Sequence, residues 1–209
     1  MKVCSLNKIT PEERSGFIKK IDHEDFFYIQ VGANDGITSD NFKKDLQLYR
    51  HWKGIMVEPH PNEFKKLQEN HKNPNTLFEN CAICNEDGWI DFYIAHNSRL
   101  SSLLLTKSEL QETIQIKGMR WDSLLRKHSV LCGVDIVHID AEGFDYNIVN
   151  QILMSKYESP KIIEFECNSR SNQTEVEKTF EKLVKEKYDI YHYCVPTARY
   201  DCFAILNEK

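Results

Sequence analysis

Short apolar runs recur along the chain, and a segment with a different hydrophobic period follows each of them. Val, Ile, Phe and Tyr dominate these runs, so we expect strands that are buried on both faces, as in a parallel sheet covered by helices. The runs occupy residues 26–31, 54–59, 76–84, 134–140 and 161–167.

The segments between the runs place apolar residues three or four positions apart, which is typical of amphipathic helices. In the first segment, Thr10 is the predicted N-cap, Pro11 opens the first turn and acidic residues follow. The predicted helices cover 10–22, 39–52, 61–71, 120–129, 144–156 and 174–187.

This alternation predicts an α/β fold with a doubly wound, Rossmann-like sheet, because strand–helix–strand crossovers are right-handed. Two further runs, 188–195 and 200–206, are joined by a short link and predict a C-terminal antiparallel hairpin. Residues 88–96 fit an edge strand or hairpin, and 97–118 have no assignable pattern. We expect residues 1–209 to form a single domain, with helix 10–22 as an extension.

Composition and charge narrow the class of protein. The chain has 209 residues, 41% hydrophobic, with a net charge of −5 that disfavours a large nucleic-acid surface. No signal peptide or run of ~18 apolar residues is present, so we expect a cytoplasmic protein without a membrane span. Seven cysteines include a C-x-x-C at Cys81–Cys84 that lacks the second ligand pair of a zinc site, so buried free thiols are expected.

The turn after the first strand contains the first candidate site residues. It reads Gly32, Ala33, Asn34, Asp35 and Gly36, and glycine permits both a tight turn and close approach of a ligand. The middle glycine of the dinucleotide fingerprint is missing, and the acid of the turn would repel a pyrophosphate. The turn therefore favours a cationic cofactor without phosphate, such as S-adenosylmethionine.

An acid at the end of the second strand supports a nucleoside-bearing cofactor. Glu58 lies 22 residues after Gly36, where a carboxylate can accept hydrogen bonds from both ribose hydroxyls.

The fourth strand ends in HIDAEGFD, which supplies candidate catalytic residues. Asp140 and Glu142 could bind an ammonium group, stabilise a sulfonium or accept a proton from a substrate hydroxyl. His138 shares a strand face with Asp140 if the alternation is regular, and is either a base or a core histidine. We predict no metal, although a divalent ion on Asp140 and Glu142 is an alternative.

At this point the chain resembles the FkbM-type family of S-adenosylmethionine-dependent methyltransferases. The resemblance spans roughly residues 26–167, and its motifs stand in the family's order: IQVGANDG (29–36), GIMVEPHP (54–61), NCAIC (80–84), SRLSSLL (98–104), RWDSLL (120–125), VHIDAEGFD (137–145) and IIEFE (162–166).

The resemblance implies a seven-stranded methyltransferase sheet whose last strand is antiparallel. It also implies O-methylation of a small-molecule or glycan acceptor, often at a sugar hydroxyl. By position, residues 32–36 would hold the methionine part, Glu58 with Pro59 the ribose, and Cys81 with Ala82 the adenine. Asp140 and Glu142 would face the methionine end and the acceptor.

Some positions depart from the family's pattern or have no assigned role. Gln30 stands where many members have an acid, and His138 where a basic residue is frequent. Ser101 and Ser102 look similar to a serine–leucine element near the family's active site, and the resemblance assigns them no role. We expect Asp140 to be the leading candidate for the catalytic base, with Glu142 and His138 as alternates.

Other classes of protein stay open at this point. A nicotinamide-dependent oxidoreductase and a non-catalytic protein that retains the cofactor pocket are two alternatives. A methyltransferase acting on nucleic acid or protein is a third, although the chain has no N/D-P-P-Y/F element.

Overall fold

A computed structural model describes residues 6–38, 42–105, 107–130, 133–167, 173–194 and 200–207. The strands in these ranges are β1 (Asn7–Lys8), β2 (Phe27–Val31), β3 (Lys53–Val57), β4 (Thr76–Glu79), β5 (Ala82–Ile83), β6 (Gly88–Ala95), β7 (Leu110–Met119), β8 (Ile136–Ile139), β9 (Ile162–Cys167), β10 (Tyr188–Cys194) and β11 (Tyr200–Leu206). The helices are α1 (Pro11–Ile21), α2 (Lys43–Leu48), α3 (Pro61–Asn70), α4 (Trp121–Lys127), α5 (Asp145–Leu153) and α6 (Gln173–Lys185), with a 3₁₀ turn at Ser98–Leu100.

The main sheet has the strand order β1-β10-β11-β9-β8-β2-β3-β4. Strand β11 is antiparallel to both β9 and β10, and the other neighbours are parallel. The predicted α/β sheet with a C-terminal antiparallel hairpin is therefore confirmed. The seven strands that the resemblance implies are all present, and the two-residue β1 adds an eighth at the edge.

Helices cover both faces of this sheet, as the doubly apolar strands require. In β2, Tyr28 packs into a cluster with Ile18 of α1 and Trp52, whereas Ile29 packs into a cluster with Tyr146 of α5. All of these side chains are at most 1% exposed. Successive residues of one strand thus contribute to two cores, which is why the alternation of polar and apolar positions is weak in these runs.

Helix α1 begins as predicted. Thr10 accepts a hydrogen bond from Glu13 N at 3.2 Å, and its own N–H donates to the Glu13 carboxylate at 2.8 Å. This reciprocal capping box satisfies two N–H groups at the start of the helix.

The predicted strand 76–84 is wrong as a single element. Strand β4 ends at Glu79 in the main sheet, whereas β5 pairs with β7 in a second sheet. At the junction, the side chain of Asn80 donates to the carbonyl of Glu58 at 2.8 Å. This side-chain bond stands where a ladder bond would otherwise continue, and the chain leaves the sheet.

Residues 97–118, which the sequence pattern left unassigned, contain all but the last residue of a long strand. Strand β7 pairs antiparallel with β6 along its length, and the second sheet has the order β5-β7-β6. Most of β7 before Ile116 is exposed or half-buried. A strand that buries so little has no continuous apolar run to reveal it.

The second predicted helix is shorter than expected. Helix α2 covers Lys43–Leu48, and residues 39–41 of the predicted segment lie outside the described residues. After the helix, Trp52 stacks between Tyr49 and Phe26, with ring centroids 4.6 Å and 4.0 Å apart.

The cysteines behave as predicted where the structure describes them. Cys81, Cys84, Cys167 and Cys202 are buried free thiols. No helix in the described ranges is long and apolar enough to cross a bilayer.

Candidate functional site

A cavity of about 730 Å³ opens at the carboxyl ends of β2, β3, β8 and β9. The strand order reverses between β2 and β8, and ligands of doubly wound sheets bind at this switch point. Residues of the second sheet and the segment 97–103 form the opposite wall. The volume falls within the range of about 300–1,000 Å³ that is usual for small-molecule sites.

The glycine turn forms one edge of the cavity through its backbone. Gly32 has φ +78°, and a Cβ there would lie 1.9 Å from the carbonyl oxygen of Asp140. The N–H groups of Gly32 and Ala33 both donate to the carbonyl of Val57, at 2.9 and 3.1 Å. Glycine at position 32 therefore lets the end of β2 approach the backbone of Asp140, which follows β8.

The second half of the turn supports the turn itself. Asp35 accepts hydrogen bonds from the backbone of Ile37 and Thr38 and from the Thr38 hydroxyl, at 2.6–2.9 Å. Partial burial raises the pKa of Asp35, but these hydrogen bonds outweigh that effect and hold it below its ordinary value. Gly32, Ala33 and Asn34 line the cavity, whereas Asp35 and Gly36 do not.

Glu58 joins the turn to the end of β3. Its carboxylate accepts a hydrogen bond from Asn34 N at 2.7 Å and another from His60 N at 2.7 Å. Burial raises the pKa of Glu58 to about 7, and nearby Glu63 and Asp140 add to the effect. Glu58 and Pro59 both line the cavity.

The loop after β8 brings three acids together. Single carboxylate oxygens of Asp140, Glu142 and Glu166 all lie within 4.8 Å of one another, an arrangement able to hold a cation or a metal ion. His138, Asp140 and Glu142 all line the cavity.

Asp145 organises the loop that carries Asp140 and Glu142. It is fully buried and accepts hydrogen bonds from the N–H groups of Gly143 and Glu166, at 3.1 and 3.3 Å. Burial raises its pKa well above the ordinary value, and the neighbouring charges of Asp140 and Glu166 reinforce this shift.

The two residues expected beside the adenine lie in different environments. Ala82 lines the cavity together with Ile83, but Cys81 is fully buried in the main core and does not line it. Burial raises the pKa of the Cys81 thiol to about 12, so the thiol stays protonated. Cys81 therefore contributes packing behind the wall.

Segment 97–103 closes the cavity opposite the sheet. Ser101 Oγ accepts from Ala95 N, and Ser102 Oγ donates to the carbonyl of Glu142, both at 3.1 Å. The second bond ties segment 97–103 to the acidic loop after β8. The serine–leucine element thus has a structural role in the wall.

Several residues of the cavity were missed by the sequence analysis. Glu164 and Glu166 of β9 and Asp201 of β11 line it, next to His138. Glu164 receives a two-pronged contact from Arg14 of α1, 2.7 Å for each nitrogen–oxygen pair. The available signal was the pair of acids in the buried run IIEFEC, because buried acids need partners.

A family model described as "Methyltransferase FkbM domain" matches residues 30–189 of this chain, which is most of its length. The chain belongs to the FkbM methyltransferase family. The match includes the glycine turn, Glu58 and the acidic loop, and so covers the sequence elements that build the cavity.

Solved structures similar to this FkbM-family chain are also methyltransferases. The precorrin-6y C5,15-methyltransferase from Geobacter metallireducens GS-15 matches at 13% identity and TM-score 0.51, covering 98% of this chain and 95% of its own. The methyltransferase FkbM from Methylobacillus flagellatus KT matches at 12% identity and TM-score 0.54, and the match covers 90% of this chain and 46% of that one. The N-terminal domain of human METTL16, crystallised with S-adenosylhomocysteine (SAH), matches at 10% identity and TM-score 0.53. This match covers 94% of this chain and 67% of that one.

These identities support the fold alone. This chain spans less than half the length of the Methylobacillus FkbM structure. The comparison with curated proteins gives no match.

Proposed function

We propose that this FkbM-family chain transfers a methyl group from S-adenosylmethionine to a hydroxyl oxygen of a sugar, glycan or natural-product acceptor. The observation that carries the proposal is the hydrogen bond from Asn34 N to Glu58, 2.7 Å long. It joins the glycine turn to Glu58, the acid proposed to bind the ribose, in one wall of the cavity.

The charges of the cavity fit S-adenosylmethionine better than a phosphate-bearing cofactor. Among the described residues, the basic side chains that line the cavity are Arg99 and His138. Six acidic residues line it as well: Glu58, Asp140, Glu142, Glu164, Glu166 and Asp201. Such a wall repels a pyrophosphate and attracts ammonium and sulfonium groups.

Each wall has a proposed role in holding this cofactor. The backbone of residues 32–34 would hold the methionine part, and Glu58 the ribose hydroxyls. Ala82 and Ile83 give an apolar surface for adenine, and Asp140 attracts the ammonium group. When bound, the cofactor supplies a methyl group made electrophilic by its sulfonium.

A hydroxyl-rich acceptor suits the rest of the cavity. Gln30 Oε1 is buried and accepts no hydrogen bond from the described part of the chain, and Gln30 lines the cavity. Glu142 and Glu166 add carboxylate acceptors to the lining of the same cavity. Neutral hydroxyl donors satisfy such acceptors, whereas phosphate or carboxylate groups would be repelled.

Calorimetric titration tests the cofactor pocket. The wild type should bind SAH with a Kd in the micromolar range and should not bind NAD. The Glu58→Ala substitution should lower the affinity for SAH by at least tenfold. A hydrogen bond to a charged group contributes about 1.5–3 kcal/mol. Glu79→Gln is the matched control, because Glu79 is also a buried acid at a strand end but does not line the cavity. NAD binding, or no SAH binding, would overturn the proposal.

A second experiment tests the reaction. The protein is incubated with methyl-tritiated S-adenosylmethionine and a panel of methyl glycosides. Transfer to oxygen gives a methyl ether whose label resists mild alkali, whereas a methyl ester loses it. Label that is released by alkali, or that appears only on protein, would contradict O-methylation of a hydroxyl acceptor.

A further inference from the structure

We infer that His138 is the general base of this site, and that Glu164, held in place by Arg14, positions it. The inference rests on the proposed function and assigns the proton transfer within it. It selects His138 over Asp140, the leading candidate from the sequence, and adds two positioning residues from α1 and β9.

The geometry links the three side chains in one buried chain of contacts. His138 Nδ1 lies 3.2 Å from Glu164 Oε2. Arg14 Nε lies 2.7 Å from Glu164 Oε1, and Arg14 Nη2 lies 2.7 Å from Oε2. Glu164 is fully buried and Arg14 is 7% exposed, so solvent screens these contacts little.

The ionisation of Glu164 determines the tautomer of His138. Burial alone would raise the pKa of Glu164, but the guanidinium of Arg14 and the hydrogen bond with His138 hold it well below its usual range. A carboxylate cannot donate, so Nδ1 of His138 must carry the proton in the contact between them. The basic lone pair of the neutral imidazole then resides on Nε2.

Packing fixes the plane of the imidazole. The ring of Phe42 lies parallel to it, with an interplanar angle of 7° and centroids 5.1 Å apart. Phe42 is fully buried, and His138 lines the cavity. Stacking and the hydrogen bond to Glu164 together hold the ring in one orientation, as positioning of a base requires.

The charged groups that surround His138 are mostly acidic. Among the described residues, these groups include Arg14 of α1, Asp45 of α2, Glu164 of β9 and Asp201 of β11. Burial raises the pKa of Asp45 and raises that of Asp201 to about 7, with Glu164 adding to both shifts. One guanidinium thus faces up to three carboxyl groups, and an imidazolium would offset this excess.

Asp140 and Glu142 suit a different role. Their carboxylates lie with Glu166 in a group whose oxygens are within 4.8 Å of one another, which suits binding of a cation. Ionised carboxylates are weak bases, with ordinary pKa values of about 4, and imidazole, at about 6.5, is closer to the working pH.

The proton transfer balances without a further reactant. The acceptor oxygen forms its bond to the methyl carbon as the carbon–sulfur bond breaks, and that electron pair stays on sulfur. The hydroxyl proton moves to Nε2 of His138. The imidazolium then returns the proton to water, and the charge on Glu164 is unchanged throughout.

The tautomer can be measured without any acceptor. In two-bond ¹⁵N–¹H spectra of the SAH complex, with His138→Gln used to assign the signal, wild-type His138 should carry its proton on Nδ1 at pH 7.5. Glu164→Gln should abolish this preference, because its amide can donate to Nδ1. A wild-type proton on Nε2 would overturn the inference, even if no glycoside is methylated.

Turnover tests the catalytic part on the same methyl glycosides. His138→Gln and Glu164→Gln should bind SAH like the wild type, while kcat falls 10²–10⁴-fold for His138→Gln, the usual contribution of a general base. Glu164→Gln should lower kcat by a smaller factor and change its pH profile. Full kcat in either variant would contradict the inference, whereas wild type that fails to bind SAH would contradict the proposed function.

Glu79→Gln is the matched control. Glu79 is 7% exposed, and its carboxylate lies 2.7 Å from His128 Nε2. The substitution therefore removes a similar buried glutamate–histidine contact outside the cavity. It should change neither the tautomer of His138 nor kcat.

Discussion

The two sides of the cavity are built from different kinds of contact. On one side, the glycine turn and Glu58 meet through a backbone N–H group, and the contact between them spans 24 residues. On the other side, Arg14 and Glu164 meet through side chains from positions 150 residues apart. The first side depends on local backbone shape, and the second on how helix α1 docks against the sheet.

The difference teaches which side a sequence pattern can reveal. A turn needs glycine at fixed positions whatever surrounds it, so its residues are visible as a motif. A buried ion pair needs only that two side chains meet, and its members can lie anywhere in the chain. Substitutions on the two sides should therefore differ in their consequences.

Arg14→Met should have the largest effect on stability. It leaves Glu164 and Asp45 buried without the guanidinium that contacts both, at 2.7 and 2.8 Å. Breaking such a network costs about 3–5 kcal/mol, because an uncompensated charge stays buried. Urea denaturation at pH 7.5 gives the free energy of unfolding.

Lys19→Met on the exposed face of the same helix is its control and should stay within about 0.5 kcal/mol of wild type. If Arg14→Met cost no more than this control, the distant side of the site would not depend on the ion pair.

Gly32→Ala should have the next largest effect on stability. It alters the glycine turn, which is the side of the cavity that depends on local backbone shape. The left-handed φ and the approach to Asp140 O both oppose a Cβ, so we expect a loss of about 2–4 kcal/mol in the free energy of unfolding. SAH affinity should fall as well.

Gly16→Ala is the matched change, because nothing lies within 4 Å of a Cβ in this helical position. It should be neutral or stabilise by up to about 1 kcal/mol. Equal behaviour of the two variants would show that the turn tolerates a side chain.

Glu58 should make stability depend on pH in a predictable direction. Its folded-state pKa of about 7 exceeds its ordinary value of 4.5, so the native state binds more protons between these values. Its contribution to stability therefore falls as pH rises through this window.

Between pH 5 and pH 8, the wild type should lose roughly 1–3 kcal/mol more of its free energy of unfolding than Glu58→Gln loses. Asp201, whose pKa is also raised to about 7, is present in both proteins and cancels. Identical pH profiles for the two proteins would contradict the shift at Glu58.

Thr10→Ala should have the smallest effect. It removes the side-chain half of the capping box, which costs about 1 kcal/mol. Thermal unfolding checks this value, and His138 should keep its tautomer because the cap lies on the exposed end of α1. A change at His138 would mean that the docking of Arg14 depends on the cap.

The strand pattern predicted most of the main sheet but missed the second one. The runs that form β2, β3, β8 and β9 are buried on both faces. Because both faces are buried, these strands consist mostly of apolar residues and are visible in the sequence as apolar runs. Strand β7 buries little of its length, and β5 has two residues. Neither leaves a pattern long enough to separate it from a loop.

The candidate site shows the same division. Gly32, Asn34, Glu58 and Asp140 were named from their places at strand ends, and all line the cavity. Cys81 was named from its motif, and its side chain points into the core because β5 leaves the main sheet. The direction of a side chain near a strand end depends on pairing, which the motif does not contain.

The sequence by itself determined the α/β alternation, the C-terminal hairpin and the residues of the glycine turn. These follow from local preferences, namely the period of apolar positions and the backbone freedom of glycine. Only the tertiary structure decided that Arg14 meets Glu164, that Glu164 meets His138 and that Phe42 stacks on the imidazole. Those contacts join α1, β8, β9 and the start of α2. They contribute to the free energy of folding only after these elements have packed and excluded water.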